Sequence, residues 1–278
     1  IGGSLVASRS VSDIGSLGTG LRLQAVPGPE GERDDLMIFG SDGAYYLDAE
    51  DLGTRGELPI GEGVDKIVAV NVGLDLGFEI FDNSAGAVRS LIVPSTGEVV
   101  WTLSNGQDDS HSYYGSTPNY PAIVDADGDN AKDIIIGGGF GDLTAHDGAT
   151  GDVIWRVCLS NGDVRAVDTN GPPTRDLCDG QVLSDVTSAE LDGSSENGEH
   201  VMVGSRDGWV YAVVAVSGAP LWTMPFNAPV GEVMAVNTDN DDQGELLVNV
   251  ANGSSFGLRD ALPPTTVRDI QIVDDVQV

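Results

Sequence analysis

The chain repeats one unit five times, and this repetition constrains its fold more than any single motif does. In each unit an acidic anchor residue precedes a short apolar segment, a turn rich in Gly or Ser, and a second apolar segment. The anchors are Asp35, Glu79, Asp133, Glu199 and Glu245. In three units a tryptophan follows the anchor after 22, 22 and 23 residues, at Trp101, Trp155 and Trp222. A register held within one residue predicts repeated structural units.

The spacing of the units predicts an all-β protein. Successive anchors lie 44, 54, 66 and 46 residues apart, which fits four short strands plus loops of variable length. The 38 glycines and the short apolar runs favour brief strands over long helices. Because one small sheet cannot bury both of its faces, such sheets must stack on one another. We therefore expect a β-propeller of four-stranded blades, with five clear repeats and room for six or more blades.

The repeats occupy residues 20–262, and the two ends of the chain differ from them. Residues 1–19 are predicted to form a partial blade or a closing strand, because residues 3–8 resemble the second strand of another unit. Residues 263–278 begin with Pro263 and Pro264 and are predicted to form a closing strand or a linker to a following domain. The sequence leaves open whether the chain belongs to a larger multidomain protein or assembly.

Residues 125–133 have the oxygen spacing of a calcium-binding loop. Carboxylates occur at loop positions 1, 3, 5 and 9, and a backbone carbonyl is available at position 7. The predicted ligands are Asp125, Asp127, Asp129, the carbonyl of Ala131, and Asp133. Carboxylates this close repel one another by several kcal/mol at an effective dielectric of about 20, and a divalent cation relieves that repulsion. The alternative is an ordinary turn whose Asp side chains cap their own backbone.

Two further loops retain parts of the same pattern. One carries oxygen ligands at positions 1, 3, 5 and 9 and a carbonyl at position 7, and it predicts a second calcium site. Its residues are Asn237, Asp239, Asp241, Gln243 and Glu245. The other lacks a side-chain ligand at position 3 and keeps only Asn71, Asp75 and Glu79. Zinc is disfavoured, because none of the three histidines pairs with a cysteine at ligand spacing.

The repeats resemble two propeller families. Residues 122–142, AIVDADGDNAKDIIIGGGFGD, resemble the FG-GAP and VCBS calcium repeats of integrin-like and bacterial surface propellers. Residues 143–157, LTAHDGATGDVIWRV, resemble the tryptophan repeat of pyrroloquinoline quinone propellers and of the outer-membrane assembly lipoprotein with that fold. The resemblance covers roughly residues 20–260 and implies a propeller whose repeats form radial blades.

Charge and cysteine content predict where such a module works. The net charge of −31 would repel nucleic acid and acidic membranes, and no apolar run approaches the length of a membrane helix. Cys158 and Cys178 are predicted to form a disulfide that braces an exposed excursion if the protein is exported; in the cytosol they would be two separate thiols. We expect a secreted or cell-surface protein, with the periplasm as the alternative.

The sequence contains no GxSxG elbow, Walker loop, HExxH motif or dinucleotide fingerprint, so no catalytic residue is predicted. His111, Tyr113 and Tyr114 form a candidate recognition loop, since aromatic loops on rigid scaffolds often bind partners. The alternatives for these residues are a solvated loop or packing over the next blade.

The predicted function is that of a non-enzymatic extracellular calcium-binding module for adhesion, surface assembly, or protein or glycan recognition. One alternative is a periplasmic assembly scaffold that needs no metal and binds peptide by strand addition. Another is a propeller enzyme. A quinoprotein dehydrogenase is expected to carry adjacent cysteines, and a polysaccharide lyase needs a cluster of basic residues; this sequence offers neither.

Overall fold

The described part of the chain consists of β-strands and their connections. In this computed structural model the described residues are 21–26, 35–40, 42–58, 67–72, 79–82, 88–93, 98–104, 119–167, 169, 178, 181–191, 198–236, 244–259 and 271–273. Within these ranges the strands form five antiparallel sheets, and no helix that could span a membrane is found there. The predicted all-β fold and its five repeats are confirmed.

The chain divides into two compact units, and the first, residues 1–104, contains sheets 1 and 2. Sheet 1 consists of β1 (Arg22–Val26), β2 (Asp35–Gly40), β3 (Gly43–Leu47) and β4 (Thr54–Leu58). Sheet 2 consists of β5 (Ile67–Val70), β6 (Glu79–Asp82), β7 (Val88–Ile92) and β8 (Val99–Ser104). In both sheets the strands are neighbours in sequence order.

The second unit, residues 105–278, contains sheets 3, 4 and 5. Sheet 3 consists of β9 (Ala122–Val124), β10 (Asp133–Gly137), β11 (Asp142–His146), β12 (Val153–Ser160) and β13 (Asp163–Ala166). Sheet 4 consists of β14 (Thr187–Ala189), β15 (His200–Gly204), β16 (Trp209–Val214) and β17 (Pro220–Pro225). Sheet 5 consists of β18 (Val230–Val236), β19 (Glu245–Val250), β20 (Ser255–Arg259) and β21 (Gln271–Val273).

The sheets share details beyond their strand order. The predicted tryptophans lie on the fourth strands of sheets 2, 3 and 4, and all three are buried. In sheets 1 to 4 the pairing between the third and fourth strands shifts register at equivalent places. The shifts follow Tyr46, Leu91, Ala145 and Ala212. Each shift is a β-bulge, in which one extra residue of the fourth strand bends that strand. Because the bulge recurs at one position, it is part of the repeated structure.

The structure shifts one anchor by a single residue. In sheets 1, 2, 3 and 5 the predicted anchor is the buried first residue of the second strand. In sheet 4 that strand begins at His200, which is fully buried, whereas Glu199 is exposed. Trp222 follows His200 by 22 residues, the same spacing as from Asp133 to Trp155. The prediction of Glu199 as the anchor was therefore wrong, because the anchor of sheet 4 is an imidazole and not a carboxylate.

Alternating side chains stack the sheets of the second unit. Val201 and Val203 of β15 belong to the core shared with sheet 3, while Met202 between them belongs to the core shared with sheet 5. This alternation follows from the two-residue period of a strand. Trp155 adds a directed contact, since its Nε1 donates a hydrogen bond of 2.8 Å to the carbonyl of Ala215.

Sheet 3 has one strand more than the four predicted. β12 and β13 form a hairpin through Asn161 and Gly162, whose φ values of 48° and 82° are left-handed; a two-residue hairpin turn of this hand needs such residues. Cys158 on β12 is bonded to Cys178, so the predicted disulfide is confirmed.

Sheet 4 holds this hairpin turn with three hydrogen bonds. Asp207 Oδ2 accepts from the backbone N–H of Asn161 at 2.8 Å, and the Tyr211 hydroxyl accepts from the N–H of Gly162 at 3.0 Å. Thr223 Oγ1 donates to the carbonyl of Gly162 at 3.0 Å. Tyr211 in turn donates its hydroxyl proton to Asp207 at 2.5 Å. The hairpin of sheet 3 is thus fixed to its neighbour at the turn.

Replacing Gly162 with Ala tests the fit of this turn. A Cβ at Gly162 would lie 2.7 Å from ring atoms of Trp209, whereas a Cβ at Gly253 would meet no atom within 4 Å. Both glycines have positive φ, so each substitution costs about 1–2 kcal/mol of backbone strain. We expect Gly162→Ala to lower the free energy of unfolding by about 1–3 kcal/mol more than Gly253→Ala does, measured by denaturant titration. Equal losses would show that the Trp209 contact adds nothing.

Replacing Tyr211 with Phe tests the hydroxyl. Burial, and next the hydrogen bond to Asp207, raise the pKa of Tyr211 above its ordinary value. The folded state therefore favours the neutral phenol, and its stabilisation is present below about pH 10 and lost as the pH rises further. We expect Tyr211→Phe to cost about 1–3 kcal/mol at pH 8 and to flatten the fall in unfolding free energy above pH 10. The same alkaline slope in both proteins would contradict this assignment.

Candidate metal centre

The acidic loop of sheet 3 connects β9 to β10 and is organised by its own side chains. Asp125 Oδ1 accepts from the backbone N–H of Gly128 at 2.6 Å and of Asp127 at 3.3 Å, and its Oδ2 accepts from Asn130 at 2.9 Å. Gly128 and Asn130 have φ values of 86° and 70°. Gly adopts this conformation freely and Asn tolerates it better than most residues, so the chain can wrap around the Asp125 carboxylate.

Two further aspartates continue the wrapping. Asp127 Oδ1 accepts from the N–H of Asp129 at 3.0 Å, and Asp129 Oδ1 accepts from the N–H of Ala131 at 2.7 Å. These are the backbone-capping turns of the alternative prediction. They orient the side chains but use only part of each carboxylate, because an ionised carboxylate has about four acceptor positions.

Asp133 ties the loop to the sheet from a buried position. It is 3% exposed, its Oδ2 accepts from the N–H of Ala126 at 2.7 Å, and its Oδ1 accepts from the N–H of Gly148 at 2.9 Å. Burial raises the pKa of Asp133, and the charges of Asp127 and Asp147 raise it further, against the lowering effect of the two N–H groups. The loop therefore contains a carboxylate whose negative charge is destabilised by its surroundings.

Three of the predicted ligands come together. Asp125, Asp127 and Asp133 each place a carboxylate oxygen within 4.8 Å of the others. Two oxygens on opposite sides of a Ca²⁺ ion, each at 2.3–2.6 Å, are about 4.6–5.2 Å apart, so the group has the size of a calcium site. Asp129 is not part of this group.

Asp125 differs from Asp133 in its electrostatics. Partial burial raises the pKa of Asp125, but backbone N–H groups, led by those of Gly128 and Asn130, outweigh burial and lower the pKa overall. Asp125 is consequently a stable anion beside the destabilised Asp133. Sequence reasoning missed the contribution of Asp147, which starts the turn after β11 and accepts from the N–H of Thr150 at 2.7 Å.

Anchors in other sheets make equivalent backbone contacts. Glu79 Oε2 accepts from the N–H of Val72 at 3.3 Å. In sheet 4 the imidazole of His200 replaces the carboxylate, and its Nδ1 accepts from the N–H of Leu191 at 3.2 Å. Burial raises the pKa of Glu79 as it does that of Asp133. The anchor position therefore has a structural role in these sheets, whether or not a metal binds.

Sheet 1 neutralises its anchor with an arginine. Asp35 Oδ1 accepts from the N–H of Ala49 at 3.2 Å, and Asp35 Oδ2 lies 2.8 Å from Arg55 Nε. Arg55 Nη2 is also 2.8 Å from Asp48 Oδ2. Arg55 is the extra residue of β4 at the bulge in its pairing with β3. The extra residue at the same place in sheet 3 is Ile154 of β12. Sheet 3 thus has the equivalent acids, Asp133 and Asp147, with an apolar residue where sheet 1 has a guanidinium.

The structure describes the other predicted sites in part. Glu245 is the buried first residue of β19, and Asn71 is exposed. The remaining predicted ligands and the predicted recognition loop lie outside the described residues. They are Asp75, Asn237, Asp239, Asp241, Gln243, His111, Tyr113 and Tyr114.

Comparison with known proteins bears on the fold. No protein-family model matches the chain, and no curated protein matches it. Among solved structures, BamB from Moraxella catarrhalis aligns with a TM-score of 0.52 at 13% identity, over 86% of this chain and 61% of BamB. Sqt1 from Saccharomyces cerevisiae aligns with a TM-score of 0.56 at 14% identity, over 86% of this chain and 57% of Sqt1. The chain folds as a β-propeller.

A third similar structure is BBS1N in complex with ARL6DN. It aligns with a TM-score of 0.52 at 13% identity, over 86% of this chain and 66% of that chain. This propeller therefore spans less than two thirds of the length of each of these three proteins. At such identities the likeness concerns the fold, and the chemistry of the site depends on the residues of this chain.

Removing Arg55 tests how strongly an anchor needs a cation. Arg55→Met would leave the buried carboxylate of Asp35 without its ion pair, whereas Arg165→Met would break a pair with Asp163 that is more than half exposed. We expect Arg55→Met to lower the free energy of unfolding by about 2 kcal/mol or more and Arg165→Met by at most about 1 kcal/mol. Chemical unfolding of both variants measures the difference. Equal effects would contradict the need for charge compensation at Asp35.

Proposed function

We propose that this propeller is a non-enzymatic, protein-binding module that works outside the cytosol and binds Ca²⁺ in its acidic loop. The observation that carries the metal part is the convergence of Asp125, Asp127 and Asp133 oxygens within 4.8 Å. The ion is structural: it binds the folded loop alone, so its binding free energy adds to the stability of the blade.

The comparison between sheets 1 and 3 supports a cation at this loop. Sheet 1 compensates its two acids with Arg55, and sheet 3 has Ile154 in that position. A cation from solvent would compensate the negative charge of Asp133, as the guanidinium compensates that of Asp35. Calcium is favoured over Mg²⁺ because a wrapped loop of carboxylates and a backbone carbonyl suits six to eight flexible oxygen ligands better than a tight octahedron. The resemblance of residues 122–142 to FG-GAP and VCBS repeats favours the same ion.

The disulfide and the surface charge support a place outside the cytosol. Disulfides such as Cys158–Cys178 persist in oxidising compartments and are rare in the cytosol. A net charge of −31 suits surroundings rich in cations, which screen the mutual repulsion of the carboxylates. A secreted or cell-surface protein fits these features best, and the periplasm is the alternative.

A protein partner is supported by the use of this fold elsewhere. BBS1N, which has a similar fold, was solved in complex with ARL6DN, so such a stack of sheets can present a protein-binding surface. Adhesion and surface assembly are the roles that we favour. The non-enzymatic part rests on the sequence, which lacks the catalytic motifs sought. The second candidate is a metal-free assembly scaffold, favoured by the resemblance of residues 143–157 to the tryptophan repeat of the outer-membrane assembly lipoprotein.

Thermal unfolding in calcium and in chelator separates the two candidates. At a calcium concentration of about 100 times Kd, binding to the folded state adds about 2.7 kcal/mol, which for a chain of this size raises Tm by roughly 5–10 °C. We expect this increase for the wild type, and a much smaller one for Asp127→Asn, which removes a ligand. The matched control is Asp152→Asn, which removes one exposed carboxylate outside the group and should keep the full response.

A second variant tests the cause of the calcium response. Ile154→Arg places in sheet 3 the residue that sheet 1 has at the same bulge. A guanidinium there would compensate Asp133 and Asp147 internally, so we expect a weaker calcium response. The response is read as the difference in Tm between calcium and chelator, because the loss of the apolar contacts of Ile154 with the core lowers both values. A Tm of the wild type that is unchanged by millimolar calcium would rule out the metal and leave the metal-free scaffold.

A further inference from the structure

The extra strand of sheet 3 lies at one edge of that sheet. In the sheet order, β13 is the outermost strand, and no described strand pairs with its other side. Val167 donates its N–H to the carbonyl of Arg156, so residues 156 and 167 form a hydrogen-bonded pair. Hydrogen-bonded and non-hydrogen-bonded pairs alternate along an antiparallel ladder. The next hydrogen-bonded pair is therefore Arg165 with Cys158. The N–H and C=O groups of Val164 and Ala166 therefore point away from β12.

A groove runs beside this edge, on the face of sheet 3 that packs against sheet 4. Its volume is about 370 Å³. The apolar side chains that line it include Trp155, Val157, Val164, Ala166, Ala219 and Pro220. No carboxylate is among its described lining residues. In a chain with a net charge of −31, the groove is thus a local apolar surface beside backbone groups with which no described strand pairs.

The edge and the groove are held rigidly. Cys158 on the neighbouring strand is bonded to Cys178, and the hairpin turn is fixed by Asp207, Tyr211 and Thr223 of sheet 4. Open edges are usually shortened, charged or covered, because they invite pairing with other chains. Here the turn end of β13 is fixed by sheet 4 and the neighbouring strand β12 carries the disulfide. The two residues whose backbone groups point outward, Val164 and Ala166, are uncharged, whereas Asp163 and Arg165 between and beside them are charged.

We propose that β13 binds an extended peptide segment of a protein partner by antiparallel strand addition, with alternate apolar side chains of the peptide in the groove. The proposal rests on the protein-binding part of the proposed function and gives it a site. Peptide residues directly opposite Val164 and Ala166 would share their face of the sheet, which is the groove face. The motif is therefore apolar at every second position. Acidic residues between them are disfavoured by the charge of the protein.

The test uses a short labelled peptide in which Val alternates with Lys, titrated against the whole protein by fluorescence anisotropy at physiological salt. Two N-methylated forms provide the comparison. Methylation of the Val amides removes the N–H groups that would pair with β13, whereas methylation of the Lys amides affects groups that point away. Both forms keep the same charge. We expect at least a tenfold loss of affinity for the first form and less than a threefold change for the second.

A protein variant tests the same edge from the other side. Ala166→Pro removes an N–H that points away from β12, a position where an edge strand tolerates proline. We expect the Tm to stay close to that of the wild type and the peptide affinity to fall at least tenfold. Arg165→Gln is the control, because Arg165 pairs with β12 and its side chain lies on the opposite face; it should bind within about twofold of the wild type.

Three results would argue against peptide binding at β13. No saturable binding, equal affinity for the two methylated peptides, or undiminished binding by a folded Ala166→Pro variant would overturn the site. Such a failure is distinct from failure of the proposed function, because the calcium dependence of Tm is measured on the intact protein without peptide. A protein that responds to calcium but does not discriminate between the peptides keeps the calcium part of the proposed function and loses this peptide-binding site.

Discussion

The repeated sheets depend on hydrogen bonds made by the buried first residue of the second strand. In sheet 3 the Asp133 carboxylate accepts the N–H groups of Ala126 and Gly148, which belong to two different turns. One side chain thus joins the loop before its strand to the turn after the next strand. Because both turns are fixed to the sheet, the strands keep the register that stacks Trp155 and its neighbours against sheet 4. Buried backbone N–H groups need such partners.

The sheets compensate the charge of the buried anchor carboxylate in different ways. A carboxylate removed from water is costly unless it is paired, and burial raises the pKa of both Glu79 and Asp133. Sheet 1 pairs Asp35 with Arg55, and sheet 4 replaces the acid with His200. In sheet 3 we propose a calcium ion. The acidic loop is then one solution to a problem that every repeat has, and recognition of a partner falls to other surfaces, such as the edge of β13.

Periodicity predicted the fold well, since the spacing between anchors and tryptophans reflects strand lengths that every unit must keep. The same pattern misplaced the anchor of sheet 4, because His200 accepts the backbone hydrogen bond that a carboxylate accepts in sheets 2 and 3. The loop spacing predicted the convergence of Asp125, Asp127 and Asp133. It did not predict β13, because the repeated pattern ends at the tryptophan strand and β13 follows that strand through a local hairpin. It did not predict the role of Asp207, because that role depends on a contact between residues 46 positions apart, Asn161 and Asp207.

Hydrogen exchange at the amides of Ala126 and Gly148 tests the role of the anchor most directly. These groups lie in a loop and a turn, where amides ordinarily exchange quickly. Because both donate to the buried Asp133 carboxylate, we predict that they exchange as slowly as the amides of β10 and that Asp133→Ala accelerates both together. Exchange at the rate of the exposed turn amides of Ala149 and Thr150, or acceleration of only one of the two, would contradict the claim that a single side chain fastens both turns.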